Sequence, residues 1–137
     1  DLMQEKVGII REAGDLQEAI AELQLLKQEA AGVKAHGSSQ YNPGWHEALS
    51  LSSLIVCSEA VAHAALMREE SRGAHTRLDF EGERPEWGQY NIVVRKGADG
   101  KMQVEKMHRP DPDPDLARIA RLTIDELEAE VRNERNQ

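Results

Sequence analysis

At 137 residues the chain can bury one core and is short for two domains, and with only five aromatic residues that core must be largely aliphatic. A net charge of −8 opposes the basic face that a general nucleic-acid binder needs to displace counterions from phosphates. The single cysteine, Cys57, excludes an internal disulfide and a Cys-rich metal site, and no apolar run approaches the roughly 20 residues that span a bilayer.

These features, with no signal peptide in view, lead us to expect a soluble domain of a reducing compartment. The chain opens Asp1-Leu2-Met3-Gln4 inside a helical pattern without an initiator Met, so a piece of a larger protein is expected. Leu2, Met3, Val7 and Ile10 suit a short amphipathic helix over about 2–11. Gly14 is read as its stop, and Asp15-Leu16-Gln17-Glu18 as an acidic capping box for a second helix over 15–31. Leu16, Ile20 and Leu23 give that helix one apolar stripe.

A polar link follows to Asn42-Pro43-Gly44, where Asn42 can cap and Pro43 can open a third helix over 44–71. From Leu49 to Met67 that helix is apolar on nearly every face, which predicts burial on several sides as the spine of a bundle. Gly73 is read as its left-handed cap. Beyond a loop, the alternation in 90–95 and 101–107 around Gly97-Ala98-Asp99-Gly100 predicts a β-hairpin. Pro110, Pro112 and Pro114 alternate with Asp111, Asp113 and Asp115 in a stiff acidic linker. Leu116, Ile119, Leu127 and Val131 then mark a tail helix, with Thr123-Ile124-Asp125-Glu126 as a capping box. The expected fold is mainly α: an antiparallel three-helix bundle with an appended two-stranded hairpin over 1–109, and an acidic linker with a tail helix over 110–137.

The chemistry-bearing residues concentrate in Arg68-Glu69-Glu70-Ser71-Arg72-Gly73-Ala74-His75-Thr76-Arg77-Leu78-Asp79. One reading makes them guanidinium groups for a carboxylate, a histidine for proton transfer and acids beside it. The other makes them a helix end whose charges pair with one another or dock on a neighbour. Glu59 and His63 stand at i, i+4, half of a metal site at best. Cys57 lies in the apolar helix and reads as an inert core thiol. No Gly-x-Gly-x-x-Gly, P-loop or nucleophile elbow occurs.

The pattern Arg68, Glu70, Ser71, Arg72, Gly73, Ala74, His75, Arg77, Asp79 resembles the signature in the C-terminal helical domain of succinate dehydrogenase and fumarate reductase flavoprotein subunits. The likeness runs from about Leu2 to Met107, and the order of helices, motif loop and hairpin agrees with it. Family members often carry Pro two residues after the final Asp; here Asp79-Phe80-Glu81 delays it to Pro85, which bears on the local path of the loop. L-aspartate oxidase and adenylylsulfate reductase share the motif more loosely, and Ala74 with the long hairpin is more similar to the succinate and fumarate enzymes.

The resemblance implies a flavoprotein that moves two electrons between succinate or fumarate and FAD, then to an iron–sulfur subunit and a quinone pool. It implies a cytoplasmic location, peripheral to the inner or plasma membrane through partner subunits, without direct membrane insertion and without nucleic acid. It also implies that FAD and the reacting residues belong to an upstream flavin-binding domain, so this chain is assigned no catalytic, cofactor-binding or metal residue. Glu70, Ser71, Arg72, Gly73, His75, Arg77 and Asp79 are expected to dock against that domain or a partner subunit. The alternatives are the C-terminal domain of a related flavoprotein such as L-aspartate oxidase, or a stand-alone acidic helical interaction module.

Overall fold

Apolar spacing and terminal capping account for most of the elements. The computed structural model describes residues 1–135, with side chains through Asn133. Helices α1 (Leu2–Lys6), α2 (Ala13–Ala30) and α3 (Pro43–Met67) precede the motif, and α4 (Pro114–Ile119) and α5 (Ile124–Arg135) close the chain. Strands β1 (Ile10–Arg11) and β2 (Thr76–Arg77) pair in parallel, while β3 (Tyr90–Lys96) and β4 (Met102–His108) form the antiparallel hairpin. About half of the residues are helical.

The core lies between α2 and α3. Leu16, Ala19 and Leu23 line one stripe of α2 and meet Ala62 and Ala65 of α3, with Val7 sealing one end. The two helices run antiparallel: Gln24 and Lys27, late in α2, reach Glu59, whereas the first residue of α2 sits beside Asp79, past the end of α3. Glu59 is buried, and it accepts hydrogen bonds from Lys27 Nζ at 2.7 Å and from the Gln24 amide. The carboxylate therefore serves α2 rather than a metal shared with His63. On its other side α3 receives the hairpin, whose Val94 and Met102 lie across a groove from Val56 and Ala60. Register Val94↔Val104 and Lys96↔Met102 puts Val94, Val104 and Met102 on one face of the hairpin.

Two helix ends, at Asn42 and Thr123, follow the sequence reading, and a third, at Asp113, lies where the sequence reads as linker. Asn42 Oδ1 accepts the Trp45 amide at 3.3 Å with Pro43 in the first turn. Asp113 Oδ1 caps α4 through the Asp115 amide at 2.9 Å. Thr123 and Glu126 close a reciprocal box, the Thr123 amide donating to Glu126 Oε2 at 2.8 Å.

Other expectations are corrected. The first helix stops at Lys6, because Gly8 lets the chain fold back against α1: a Cβ there would lie 2.8 Å from the Gln4 carbonyl oxygen. Residues 10–11 then extend into β1, so the bundle's expected third member is a helix of five residues over one end of a helical pair. Gly14 lies inside α2, which begins two residues earlier than read. Helix α3 ends at Met67 rather than near residue 71. It is also covered less than its composition predicts, with Leu49, Leu54, Val56 and Val61 facing outward and Cys57 exposed rather than in the core. By length and composition α3 could cross a membrane, contrary to the sequence reading, and 22% of that apolar window is buried in the chain. The tail's Leu116, Ile119, Ile124, Leu127 and Val131 are exposed as well.

The buried Glu59 makes one energetic prediction. Lys27→Met should destabilise the chain by about 1–3 kcal/mol, because it removes a charged partner from a desolvated carboxylate. The double change Lys27→Met, Glu59→Leu should recover much of that loss, since apolar replacement of both members of an ion pair is often neutral. Urea unfolding of the three proteins measures the difference.

Candidate functional site

The charged segment 68–79 begins where α3 stops. Arg68 leaves the last turn in an extended conformation, so the chain doubles back along the helix end. The reversal is a tight turn over Arg72-Gly73-Ala74-His75, with the Arg72 amide on the His75 carbonyl at 2.8 Å and the His75 amide on the Arg72 carbonyl at 3.0 Å. Gly73 adopts φ +58° at its tip, and nothing lies within 4 Å of where its Cβ would stand. Glycine is needed there for a left-handed backbone, not as a helix cap and not to avoid a clash.

Past the turn, β2 pairs with β1: the Thr76 amide donates to the Ile9 carbonyl at 3.1 Å, and the Leu78 amide to the Arg11 carbonyl at 2.9 Å. That pairing aims Arg77 at the end of α3. Arg77 is 1% exposed, and its Nη1 donates to the carbonyls of Ala65, Leu66 and Arg68 at 3.0, 3.0 and 3.2 Å. Its Nε and Nη2 grip Asp79 at 2.7 and 2.6 Å, and Asp79 Oδ2 accepts the Ala13 amide at 3.3 Å. One ion pair thus closes two helix ends, the cation on the negative end of α3 and the anion on the positive end of α2. The Arg77 hydrogen bonds hold the Asp79 carboxyl below its usual range, against burial, with the Ala13 amide helping.

Glu70 is the second buried charge, with no exposed surface. Arg72 binds it in a fork, Nε to Oε1 and Nη2 to Oε2 at 3.0 Å each, while the Arg84 amide donates to Oε2 at 3.0 Å and the Arg68 guanidinium closes the remaining side. Burial alone would raise this carboxyl, but the bonds from Arg72, Arg84 and Arg68 outweigh it and hold the pKa at about 2. Arg72 also reaches Glu83 at 2.9 Å.

The loop beyond Asp79 is fixed by stacking. Phe80 lies between the guanidinium groups of Arg77 and Arg84, at 4.9 and 5.1 Å. Trp87 is buried with Arg68 at 5.4 Å and Lys106 Nζ at 3.7 Å from its ring centre, and Pro85 opens the 3-10 turn that carries it. The Ser71 hydroxyl accepts the Arg77 amide at 2.8 Å and donates to the Phe80 carbonyl at 2.9 Å.

His75 joins the segment to β1. Its Nδ1 accepts from Arg11 Nη1 at 2.6 Å and its Nε2 faces the Arg68 carbonyl at 3.2 Å, so the neutral Nε2–H tautomer satisfies both. Burial lowers its pKa, and the guanidinium groups of Arg11, Arg77 and Arg68 lower it further despite the Arg68 carbonyl.

All seven motif residues expected to dock are therefore brought together, and their polar groups are spent mainly on one another and on helix ends. Among the described residues no buried side-chain polar atom lacks a partner, and no group of three His, Cys, Asp or Glu side chains is placed to hold a metal. Sequence reasoning missed Arg11 and the amide of Ala13. Each lies more than 60 positions from its motif partner, and no local pattern marks either.

A family model described as fumarate reductase flavoprotein C-term matches residues 1–134. The chain belongs to this family. It is the C-terminal domain of a fumarate reductase or succinate dehydrogenase flavoprotein subunit. The fumarate reductase flavoprotein subunit of Mycobacterium tuberculosis is 32% identical over 104 residues, 74% of this chain and 18% of its own length. The succinate dehydrogenase flavoprotein subunit of Coxiella burnetii is 34% identical over 97 residues, 69% of this chain and 16% of its own. In structure, the domain is similar to Mycobacterium smegmatis Sdh1 in complex with UQ1, with TM-score 0.80 and 36% identity over 93% of this chain and 22% of that one. It is similar also to E. coli quinol fumarate reductase FrdA, with TM-score 0.71 and 29% identity over 78% of this chain and 19% of that one. The domain spans about a fifth of the length of these relatives.

Two predictions follow the clamp. Arg77→Met should cost about 2–4 kcal/mol in urea unfolding, chiefly because it leaves three carbonyls at the end of α3 without their donor. In acid, stability should fall in two stages. Below about pH 6.5 the unfolded chain protonates its histidine more readily than the folded one does, so His75 contributes the first loss. The Glu70 contribution, about 3 kcal/mol, is present above pH 4.5 and is lost as the pH falls toward 2. Glu70→Gln should flatten the lower stage and spare the upper one, as followed by melting temperature against pH.

Proposed function

We propose that this domain is the C-terminal part of a flavoprotein subunit that interconverts succinate and fumarate. In this reading FAD is held by an upstream flavin-binding domain of the same polypeptide, and electrons pass to an iron–sulfur subunit and a quinone. The subunit is cytoplasmic and sits at the inner or plasma membrane through its partners. The observation that carries the reading is the family match along residues 1–134 together with coverage of only a fifth of each relative.

The residues of this chain do not fit a flavin. A dinucleotide site uses a parallel sheet with a Gly-rich turn into a helix. Here the parallel pair among the described residues is two residues per strand, and the turn before it supplies no helix N-terminus. The guanidinium groups of Arg72 and Arg77 are already engaged with carboxylates and helix carbonyls. No catalytic step is assigned to them.

The work of residues 1–109 is to present a rigid surface, with 110–137 as a separate linker and tail. Glu70, Ser71, Arg72, Gly73, His75, Arg77 and Asp79 serve docking by fixing β1, β2 and the end of α3 in one shape. The outward side chains of Leu49, Leu54, Val56 and Val61 on α3 supply apolar area for a neighbouring domain.

The test compares the chain with a full-length subunit. The purified chain should be colourless and should not reduce a dye with succinate, while the full-length subunit should be yellow and should do so. Stoichiometric flavin on the chain alone, or a flavin-loaded subunit without succinate or fumarate turnover, would overturn the reading.

A further inference from the structure

Two guanidinium groups of this cluster have no carboxylate among the described residues: Arg84, which stacks on Phe80, and Arg11. Glu70 answers Arg68 and Arg72, and Asp79 answers Arg77. Arg11 is half-buried, and no carboxylate among the described residues pairs with it. Its guanidinium has the Val7 carbonyl, at 3.3 Å from both Nε and Nη2, and the neutral ring of His75. Burial and the nearby Arg77 both disfavour its charged form. A guanidinium cannot relieve that cost by losing its proton at ordinary pH, so an anion is the remaining remedy.

The surroundings show what kind of anion fits. Arg11 lines an open groove of about 290 Å³ together with Arg68, His75, Val61, Ala64 and Ile92. A cation beside an aliphatic wall suits a carboxylate carried on a protein segment with apolar neighbours; a free small anion would leave that wall wet. Val61 on the groove is 46% exposed, and Ile9, two residues before Arg11, is 64% exposed, so apolar side chains near the cation are open to a partner. The chain's own acidic linker begins after Arg109, which is tied to the hairpin base through the carbonyls of Gly88 and Gln89.

We propose that Arg11 receives a carboxylate from the part of the subunit that precedes Asp1. This rests on the functional reading above. The domain is the C-terminal fifth of its relatives, so the missing chain enters through α1, and α1 ends four residues before β1. The preceding domain is thereby delivered next to the groove. Arg11 is a positioning residue at an interdomain joint, and the motif residues dock only through it.

The experiment uses the full-length subunit. In the Arg11→Lys variant, a carbodiimide should couple this position to an acidic residue N-terminal to Asp1, located by peptide mass spectrometry. Arg11→Met should raise the rate of interdomain cleavage by chymotrypsin about 10-fold or more, the effect expected from losing one charge-assisted bond. Val61→Ser, on the exposed groove wall, should act in the same direction without touching the clamp, and it guards against a general folding defect in Arg11→Met. Coupling only to acids within this chain, or cleavage rates unchanged in both variants, would overturn the inference. Flavin content and succinate turnover of the wild-type subunit report on the functional reading separately: a flavin-loaded, active subunit with unchanged cleavage sinks this inference alone.

Discussion

The fold depends on one ion pair, its arginine buried and its aspartate open to solvent, placed between two helix ends. Helix α3 finishes with carbonyls that have no partner in the helix, and α2 starts with amides in the same position. Arg77 answers the first and Asp79 the second, and the two answer each other. An antiparallel helical pair held only by Leu16, Ala19, Leu23, Ala62 and Ala65 has few side chains to set its register. The ion pair sets it, because each member is fully bonded in one arrangement of the two helices. The strand pairing of β1 with β2 depends on the same residue, since the backbone of Arg77 lies in the strand whose side chain ends α3.

Around that pair the motif solves a problem of charge density. Four basic side chains and two carboxylates crowd a small volume, and each carboxylate sits where several donors converge. Glu70 is bound by Arg72, Arg68 and a main-chain amide, which makes a buried anion tolerable and holds its proton off until strongly acid conditions. The His75 ring is held toward its neutral form first by burial, and then by the guanidinium groups of Arg11, Arg77 and Arg68, which oppose a further positive charge. The buried charges Glu70 and Arg77 are each met by several partners, and that convergence fixes the shape of the cluster.

The outer surface completes this account. The hydrophobic side chains buried among the described residues are few for a chain of this length, while α3 keeps Leu49, Leu54, Val56 and Val61 outward. A domain with a small core and a large uncovered apolar helix gains stability from a neighbour. On the function proposed above, that neighbour is the rest of a subunit about five times longer. The same α3 shows why composition is an ambiguous guide: a run apolar enough for a bilayer carries Glu59 in its interior, paired with α2.

Much of the fold was legible in the residues themselves. The 3.6-residue spacing of Leu16 and Leu23, the Asn42-Pro43 start, the Thr123 box and the two-residue alternation of the hairpin are local signals, and local hydrogen bonding honours them. The motif too was legible as a family resemblance, which carried the assignment to a flavoprotein C-terminal domain. What the sequence could not decide was where helices stop and which charges meet. Helix α3 stops at Met67 because a side chain ten residues later takes its carbonyls, and α1 stops at Lys6 because β1 is called away to a strand more than 60 residues distant. Gly73 carries the same lesson: its identity announces a turn, but only the pairing of Arg72 with His75 says which turn it is. Pairings of that range follow from the three-dimensional closure of the chain, and no spacing along it records them.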